Sequence, residues 1–251
     1  MQRAVVFGST VIDGYEGSSC QAGAAEVRGD HAHLVNGREQ DVSPPTIDND
    51  TRQGVEKSRR LASLWDPCAM PLNARIKLRP MSLADVPLLD LWDRQPHVMA
   101  ATSDNPDQPK AFGDTYWPDE LALVGPDCQY IVAELDGRPI GAMQIIDPYS
   151  EVTHYWGGIE PNLRAIDIWI GAAEDLGKGY GETMMRRAFQ ICFAEPAVTA
   201  IVIDPLASNT RAHTFYRRLG FIAEGRRMFG DDDCLVHRLT RVTWHQRFPM
   251  D

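Results

Sequence analysis

The segment 175–181 has the composition of a loop that binds phosphate groups. It reads Asp-Leu-Gly-Lys-Gly-Tyr-Gly and follows an apolar stretch, 165–171, that predicts a strand. A helix over 179–194 is predicted to begin inside the loop, since apolar residues recur there at helical spacing: Met184, Ala188, Ile191 and Cys192. Glycines let the backbone approach a ligand closely, and the first N–H groups of a helix lack partners within it. The helix dipole favours negative charge, so a pyrophosphate is the natural occupant.

The spacing of these glycines excludes two common nucleotide-binding motifs. No Gly-Lys-Ser or Gly-Lys-Thr is present, so the loop is not a P-loop. The order Gly-x-Gly-x-Gly also departs from the Gly-x-Gly-x-x-Gly of dinucleotide-binding folds. The loop alone is weak evidence, and the next part of the chain strengthens it.

A second strand and helix follow the loop. Residues 198–204 are predicted as a strand that ends at Asp204, before a turn at Pro205. The helix predicted over 208–219 ends at Gly220, a typical C-terminal stop. Its apolar face contains Ala212, Phe215, Tyr216 and Leu219.

This order of elements resembles the GNAT acyltransferase superfamily over roughly residues 75–241. The motifs are the glycine loop, Asn209, Arg211-Ala212, Tyr216 and Leu219-Gly220-Phe221. Within the superfamily the chain is most similar to aminoglycoside 6′-N-acetyltransferases. The stretches that carry this similarity are Arg164-Ala165-Ile166-Asp167, Leu176 with the glycine loop, Glu195-Pro196-Ala197-Val198-Thr199, and Asp204-Pro205 with Ser208-Asn209 and Arg211-Ala212. Two features depart from the pattern. The loop before the first helix lacks a tryptophan-rich run, and Leu176 stands where many members carry Arg or Gln.

The resemblance implies an α/β fold, the GNAT fold: a mixed, mostly antiparallel sheet flanked by helices. Its two central parallel strands, here 165–171 and 198–204, would splay apart, and acetyl-CoA would wedge between them as co-substrate. The cofactor-binding residues that it implies are Ile168, Trp169, Ile170, Leu176, Gly177, Lys178, Gly179, Tyr180, Gly181, Asn209, Arg211, Ala212 and Tyr216.

Acetyl transfer to an amine requires a carboxylate, because amines are mostly protonated at pH 7 and only the neutral form attacks. Asp167 is the first choice as base, and Asp204 is a second carboxylate that could face the same cleft. Each also has a structural interpretation, as a loop cap or a turn-initiating residue. Tyr216 resembles the family's tyrosine that protonates the departing thiolate, and a core tyrosine is the alternative. Backbone amides near Ile168 and Trp169 would polarise the thioester carbonyl.

Other polar and aromatic residues are candidates for contacts with the two substrates. Asn209 is expected either to contact the pantetheine arm or only to begin the helix. Tyr155 and Trp156, together with Trp169, could shape the acceptor cleft, although aromatic residues are more often in the core. Asp231, in the run Asp-Asp-Asp, could belong to an acidic rim for a polycation or to a plain solvated turn.

Composition limits the class of partner. The net charge is −10, which argues against nucleic acid and fits a small cationic amine. The chain lacks a signal-peptide apolar region and any apolar run of about 20 residues, so we predict a cytoplasmic protein with no membrane partner. The five cysteines form no C-x-x-C and the seven histidines show no ligand spacing, so no metal is expected. A monomer or homodimer is predicted.

The chain is predicted to divide near Met70. Residues 1–69 show no sustained periodicity, so we predict a disordered extension or an over-long gene start, followed by the acetyltransferase domain over 70–251. The remaining elements predicted in that domain are a strand over 75–80, a helix capped by Ser82 that runs to 92, a loop over 96–113, a helix over 118–124, a hairpin of 129–135 and 139–146, a loop over 148–163, and a hairpin of 221–228 and 234–241.

Three functions remain open from the sequence. The resemblance favours direct transfer of acetyl to the 6′-amine of an aminoglycoside, which would give antibiotic resistance. A lysine or hydroxylysine acyltransferase of siderophore synthesis shares much of the pattern. A non-catalytic acyl-CoA-binding regulatory domain is the third possibility, and the joint presence of Asp167, Asn209 and Tyr216 argues against it.

Overall fold

The computed structural model describes residues 10–11, 70–112, 115–122 and 124–248. The chain divides into two units, residues 1–15 with 72–251 and residues 16–71, and the fold described below is that of the first. Apart from Thr10 and Val11, the predicted extension over 1–69 lies outside the described residues. Within the described part of the chain, no helix is both long and apolar enough to cross a membrane.

The sheet is mixed and mostly antiparallel, as predicted. Its strands are β1 (Thr10–Val11), β2 (Ile76–Pro80), β3 (Cys128–Leu135), β4 (Arg138–Ile146), β5 (Leu163–Ile170), β6 (Ala200–Ile203), β7 (Ile222–Phe229) and β8 (Asp232–Thr240). The order along the sheet is β2-β3-β4-β5-β6-β8-β7, and β1 lies beside β5. Among the strands of the described residues, β5–β6 and β1–β5 are the parallel pairs.

Helices cover both faces of the sheet. They are α1 (Leu72–Arg75), α2 (Val86–Trp92), α3 (Pro96–Thr102), α4 (Trp117–Ala122), α5 (Tyr180–Ala194), α6 (Thr210–Arg218) and α7 (Arg241–Arg247), with 3-10 turns at Leu83–Asp85 and Ala173–Asp175. Side chains of α5, α6 and α7 pack with Ile166 and Ile168 in one apolar cluster. Side chains of α2, α3 and α4 pack with Tyr130 and Trp169 in another, so successive residues of β5 face opposite layers.

Three helices were missed by the sequence interpretation: α1, α3 and α7. α1 contains Arg75, which was predicted to begin the first strand. α3 begins at Pro96, inside the segment predicted as a loop over 96–113. Proline is favourable at the first helical position, because the N–H that it lacks would have no partner there. α7 begins at Arg241, the residue predicted to end the last strand. It is capped by the Thr240 side chain, which accepts a hydrogen bond from the Thr243 N–H.

The central strands β5 and β6 separate after a short paired stretch. They pair from Leu163 with Ala200 to Ala165 with Val202, three residue pairs in all. Farther along β5, Ile168 and Trp169 pair instead with the two residues of β1. The predicted splay is therefore present, and it places the main chain of β5 at an edge that accepts an extended partner.

Gly171, directly after β5, tests how tightly this region is packed. A Cβ atom at Gly171 would lie 1.9 Å from Cε2 of the buried Trp92 ring, so neither group has room. We expect Gly171→Ala to lower the free energy of unfolding by about 1–3 kcal/mol in urea denaturation, through overpacking. Gly158→Ala is the matched control, because a Cβ there meets nothing within 4 Å. Equal stability of the two variants would contradict this packing.

Candidate active site

Two buried carboxylates lie on one face of the sheet where β5 and β6 separate. Asp167 lies two residues from Ala165 and Trp169 on β5, and Asp204 lies two residues beyond Val202 of β6. Because side chains alternate along a strand, both carboxylates belong to the face opposite α5. Each residue is only 4% exposed. The two carboxylates predicted from the sequence thus lie at the opening between β5 and β6, beyond the last pair of residues that these strands share.

Asp204 is held by the hydroxyl of Tyr155. Tyr155 Oη donates a hydrogen bond of 2.7 Å to Asp204 Oδ2. Burial raises the pKa of Asp204 to about 7, while the bond from Tyr155 opposes that shift. Burial and the charge of Asp204 also raise the pKa of the Tyr155 hydroxyl, so Tyr155 remains a proton donor. Asp204 therefore changes its charge near neutral pH.

Tyr216 lies beneath the same opening, and its hydroxyl has no hydrogen-bond partner among the described residues. Its side chain is fully buried on α6, and Tyr216 Oη makes no hydrogen bond with the described residues. Burial raises the pKa of the phenol well above its usual value, and the nearby charges of Asp167 and Asp204 raise it further. The phenol thus stays protonated and is available to donate its proton to a ligand atom.

The glycine loop contains two glycines with positive φ angles. Gly177 and Gly179 have φ angles of 81° and 74°, a region that favours glycine. α5 begins at Tyr180, and its N-cap residue, Gly179, has no side chain that could cap the first turn. The N–H groups of that turn thus receive no hydrogen bond from an N-cap side chain, and a phosphate would bind there.

An ion pair between the exposed Arg138 and the buried Asp175 holds the start of this loop. Arg138, at the beginning of β4, donates two hydrogen bonds of 2.7 and 2.9 Å to the carboxylate of Asp175. Asp175 is 1% exposed, and the bonds from Arg138 lower its pKa. Lys178 Nζ lies 3.4 Å from the same carboxylate. This contact joins residues distant in sequence, and the sequence interpretation missed it.

The remaining cofactor-binding candidates differ in what they expose. Asn209 caps α6, because its Oδ1 accepts a hydrogen bond from the Ala212 N–H. Arg211 is exposed, whereas the side chain of Ala212 lies in the core. The side chains of Ile168 and Ile170 are also buried in that core, so they offer a ligand only their main-chain atoms. Leu176 packs against the clusters on both faces of the sheet.

Three aromatic residues were predicted to shape the acceptor cleft. Tyr155 makes a polar contact at the site, whereas Trp156 and Trp169 lie in the apolar core. Tyr155 stacks on Phe229 at 4.6 Å between ring centroids and directs its hydroxyl to Asp204. Trp156 and Trp169 are each 1% exposed and pack within apolar clusters. The structure thus places Tyr155 at the site through its hydroxyl and the two tryptophans in the walls.

Three acidic residues lie close together on the side of Asp204 toward β8, and we refer to them as the acidic rim. It consists of Asp104, Asp231 and Asp232. Asp231 is exposed, whereas Asp232 is half-buried and accepts a hydrogen bond of 3.2 Å from Ser103 Oγ. Burial raises the pKa of Asp232, and the charges of Asp104 and Asp231 add to that shift. The charge of Asp232 also contributes to the raised pKa of Asp204, so Asp232 is the acidic neighbour that the sequence interpretation did not select.

The sequence of this chain matches a known protein family over most of the domain described above. The sequence profile of the acetyltransferase (GNAT) domain matches residues 82–229, more than half of the chain. The chain belongs to this family. It is therefore an acetyltransferase, and the co-substrate of the family is acetyl-CoA.

Within the family, this acetyltransferase is similar to proteins that are named for aminoglycosides or for resistance to them. The aminoglycoside N(6')-acetyltransferase type 1 of Klebsiella pneumoniae is 31% identical over 158 residues, which cover 61% of this chain and 77% of the relative. The kanamycin resistance protein of Rhizobium radiobacter is 39% identical over 66 residues, which cover 26% and 61% of the two chains. The crystal structure of aminoglycoside acetyltransferase AAC(6')-Ib in complex with coenzyme A and kanamycin is 28% identical, with a TM-score of 0.59, over 70% of this chain and 99% of that chain.

The glycine loop is predicted to bind the pyrophosphate of the co-substrate. Gly179→Asp adds a negative charge and strains a positive φ, so we expect the acetyl-CoA dissociation constant to rise at least tenfold in calorimetry. Gly230→Asp is the matched control, since Gly230 also has a positive φ and open space but lies in the β7–β8 turn. Unchanged affinity in a folded Gly179→Asp variant would remove the loop from the site.

Asp204 is predicted to impose a pH dependence on acceptor use. Its pKa is raised to about 7, so the ionised form that attracts an ammonium group grows as pH rises through that value. We expect kcat/KM for the acceptor to rise with an inflection near pH 7 and Asp204→Asn to abolish the inflection. Tyr155→Phe removes a bond to the ionised form and should move the inflection to higher pH. An inflection that persists in Asp204→Asn would assign it to another group.

Proposed function

We propose that this acetyltransferase transfers acetyl from acetyl-CoA to the 6′-amino group of an aminoglycoside and so gives resistance to the antibiotic. The observation that carries the proposal is the placement of Asp167 and Asp204 on one face of the opening, with the hydroxyl of Tyr216 beneath it. A polyamine is the kind of acceptor that such an acidic site concentrates. Similarity to aminoglycoside N(6')-acetyltransferases over 61% of the chain supports the choice of amine.

The acceptor amine is handled by Asp167. Its carboxylate lies on β5 next to Ile168 and Trp169, the residues whose main chain would hold the thioester. The carboxylate binds the ammonium form and takes a proton from it, directly or through one water, which leaves a neutral amine to attack. Asp204 supplies a second negative charge that orients the acceptor.

The departing thiolate is handled by Tyr216. Main-chain N–H groups near Ile168 and Trp169 stabilise the negative oxygen that forms when the neutral amine attacks the thioester carbon. The nitrogen then loses its second proton as the carbon–sulfur bond breaks, and the electron pair of that bond goes to sulfur. The phenol of Tyr216 passes a proton to the sulfur and regains one from the nitrogen through water, so the phenol ends as it began. Its raised pKa disfavours a free phenolate, which couples the two proton transfers.

The pantetheine arm requires the free edge of β5. In the structure β1 pairs with this edge at Ile168 and Trp169. An arm that hydrogen-bonds to the same main-chain groups replaces β1, because one edge accepts one extended partner at a time. The pyrophosphate then lies at Gly177–Gly181 and the start of α5.

The setting of the reaction follows from its co-substrate. The enzyme acts in the cytoplasm, where cells make acetyl-CoA, as a monomer or homodimer. The net charge of −10 suits an enzyme that collects cationic acceptors and does not bind nucleic acid.

A panel of acceptors tests this function directly. Kanamycin-type aminoglycosides, lysine and hydroxylysine are each incubated with acetyl-CoA, and release of free thiol is followed with a thiol reagent. We expect turnover of aminoglycosides, with acetylation at the 6′ position by mass spectrometry and NMR. Acetylation of lysine or hydroxylysine alone would instead support the siderophore alternative, and binding of acetyl-CoA without turnover would favour a regulatory domain.

Asp167 and Tyr216 are predicted to fail in different ways when altered. Asp167→Asn keeps the shape and loses the charge, so kcat/KM should fall about 100- to 10,000-fold, or about 3–5 kcal/mol, with partial rescue at high pH. Tyr216→Phe should lower kcat while acetyl-CoA affinity stays near normal, because only the developing thiolate loses its partner. Wild-type kcat/KM in Asp167→Asn, together with loss of activity in Asp204→Asn, would exchange the roles of the carboxylates.

Removal of residues 1–69 is predicted to leave an active enzyme. A chain that begins at Met70 lacks β1, and it keeps every residue assigned to the site above. We expect its melting temperature and kcat to match those of the full chain and its KM for acetyl-CoA to be equal or lower. A large loss of melting temperature or turnover would show that residues 1–69 belong to the functional fold.

A further inference from the structure

A cavity next to Asp167 takes no part in the reaction steps described above. It has a volume of about 150 Å³, and its polar lining includes Glu120, Asp127, Cys128, Tyr130, Gln144 and Glu151. Gln144 on β4 is the direct cross-strand partner of Asp167 on β5. Directly opposite side chains of an antiparallel pair share one face of the sheet, so the cavity begins about 5 Å along the sheet from Asp167.

The side-chain amide of Gln144 forms hydrogen bonds through its nitrogen and none through its oxygen with the described residues. Gln144 is 2% exposed, and its Nε2 donates hydrogen bonds to Tyr130 Oη at 2.9 Å and Cys128 Sγ at 3.5 Å. Its Oε1 is buried without a hydrogen bond from the described residues. A buried polar atom left without a partner costs about 1–3 kcal/mol, so its presence here calls for a ligand that donates a hydrogen bond.

The orientation of this amide is fixed by its neighbours. Tyr130 Oη donates its own proton to Glu120 Oε2 at 3.1 Å, so the hydroxyl has only acceptor capacity left for Gln144. The reverse orientation of the amide would place two acceptor oxygens against each other. The hydrogen bonds that link Gln144, Tyr130 and Glu120 therefore keep Oε1 of Gln144 at the cavity wall, where it can accept a hydrogen bond.

The charge of the cavity identifies the kind of donor. Glu120 and Glu151 are buried, Asp127 adds a third carboxylate, and none of the described residues that line the cavity is basic. Glu151 accepts hydrogen bonds from the N–H groups of Thr153 and Tyr155, which fixes the shape of the wall. An ammonium group carries positive charge and only donors, so it satisfies both the carboxylates and the Gln144 oxygen.

We propose that this cavity binds a second ammonium group of the acceptor, with Gln144 Oε1 as its hydrogen-bond acceptor and Glu120 as its counter-charge. The proposal rests on the proposed function, since it requires an acceptor with several amines. It assigns selectivity for polyamines to β3, β4 and α4, and leaves the reacting amine to Asp167. Acceptors with one amine would bind without this contact.

Selectivity between two acceptors tests the proposal. Kanamycin carries several amines, whereas 6-amino-6-deoxyglucose offers the reacting amine alone. We expect Glu120→Gln and Gln144→Leu each to lower the ratio of kcat/KM for kanamycin to that for the monoamine by about tenfold. Glu224→Gln is the control, because it removes an exposed carboxylate of β7 and should leave the ratio unchanged. An unchanged ratio in both cavity variants would overturn the proposal, and absence of turnover of either acceptor by the wild-type chain would overturn the proposed function instead.

Protection of Cys128 gives a second test that needs neither variants nor turnover. Cys128 lines the cavity and is half-buried, so a small cationic methanethiosulfonate reagent should modify it, as read by peptide mass spectrometry. We expect saturating kanamycin to slow modification of Cys128 at least fivefold and the monoamine sugar to leave the rate unchanged. Equal protection by both acceptors, no protection by kanamycin, or no modification of Cys128 at all would overturn the subsite.

Discussion

The separation of β5 from β6 is the constraint on which the site depends. The two strands pair over three residue pairs, and beyond them the edge of β5 leaves β6 and pairs with β1 at Ile168 and Trp169. Main-chain groups of β5 become an edge for an extended partner, and the side chains of Asp167 and Asp204 reach the opening from the two diverging strands. In the proposed reaction both substrates meet at this opening, because the edge of β5 and the two carboxylates lie there together.

Burial gives these groups their chemistry. Asp204 and Tyr216 are removed from water at the bottom of the opening, and burial raises the pKa of each. For the tyrosine this preserves a proton donor, and for the aspartate it moves the change of charge toward neutral pH. The acidic rim and the cavity lined by Gln144 add further carboxylates around the opening. A polycationic acceptor would neutralise this negative charge on binding.

The local parts of this arrangement were predictable from the sequence, and the long-range parts were not. Gly177 and Gly179 could be selected from their spacing within one loop, whereas Tyr216 was selected through the resemblance to the family's tyrosine. The contacts Arg138–Asp175 and Tyr155–Asp204 join residues 37 and 49 positions apart, which no local pattern specifies. The register that places Gln144 opposite Asp167 is likewise set by the whole sheet. The missed helix at Pro96 has a different cause, because proline can begin a helix as well as end one.

The most direct test of this account is a crystal structure with coenzyme A and an aminoglycoside bound together. We predict that the 6′-nitrogen of the acceptor lies within about 3 Å of the Asp167 carboxylate and that the sulfur of coenzyme A lies nearest to the Tyr216 hydroxyl. In that complex the pantetheine arm should pair with β5 at Ile168 and Trp169, in the place of β1. A complex in which the 6′-nitrogen contacts only Asp204, with Asp167 directed away from both substrates, would contradict the central claim.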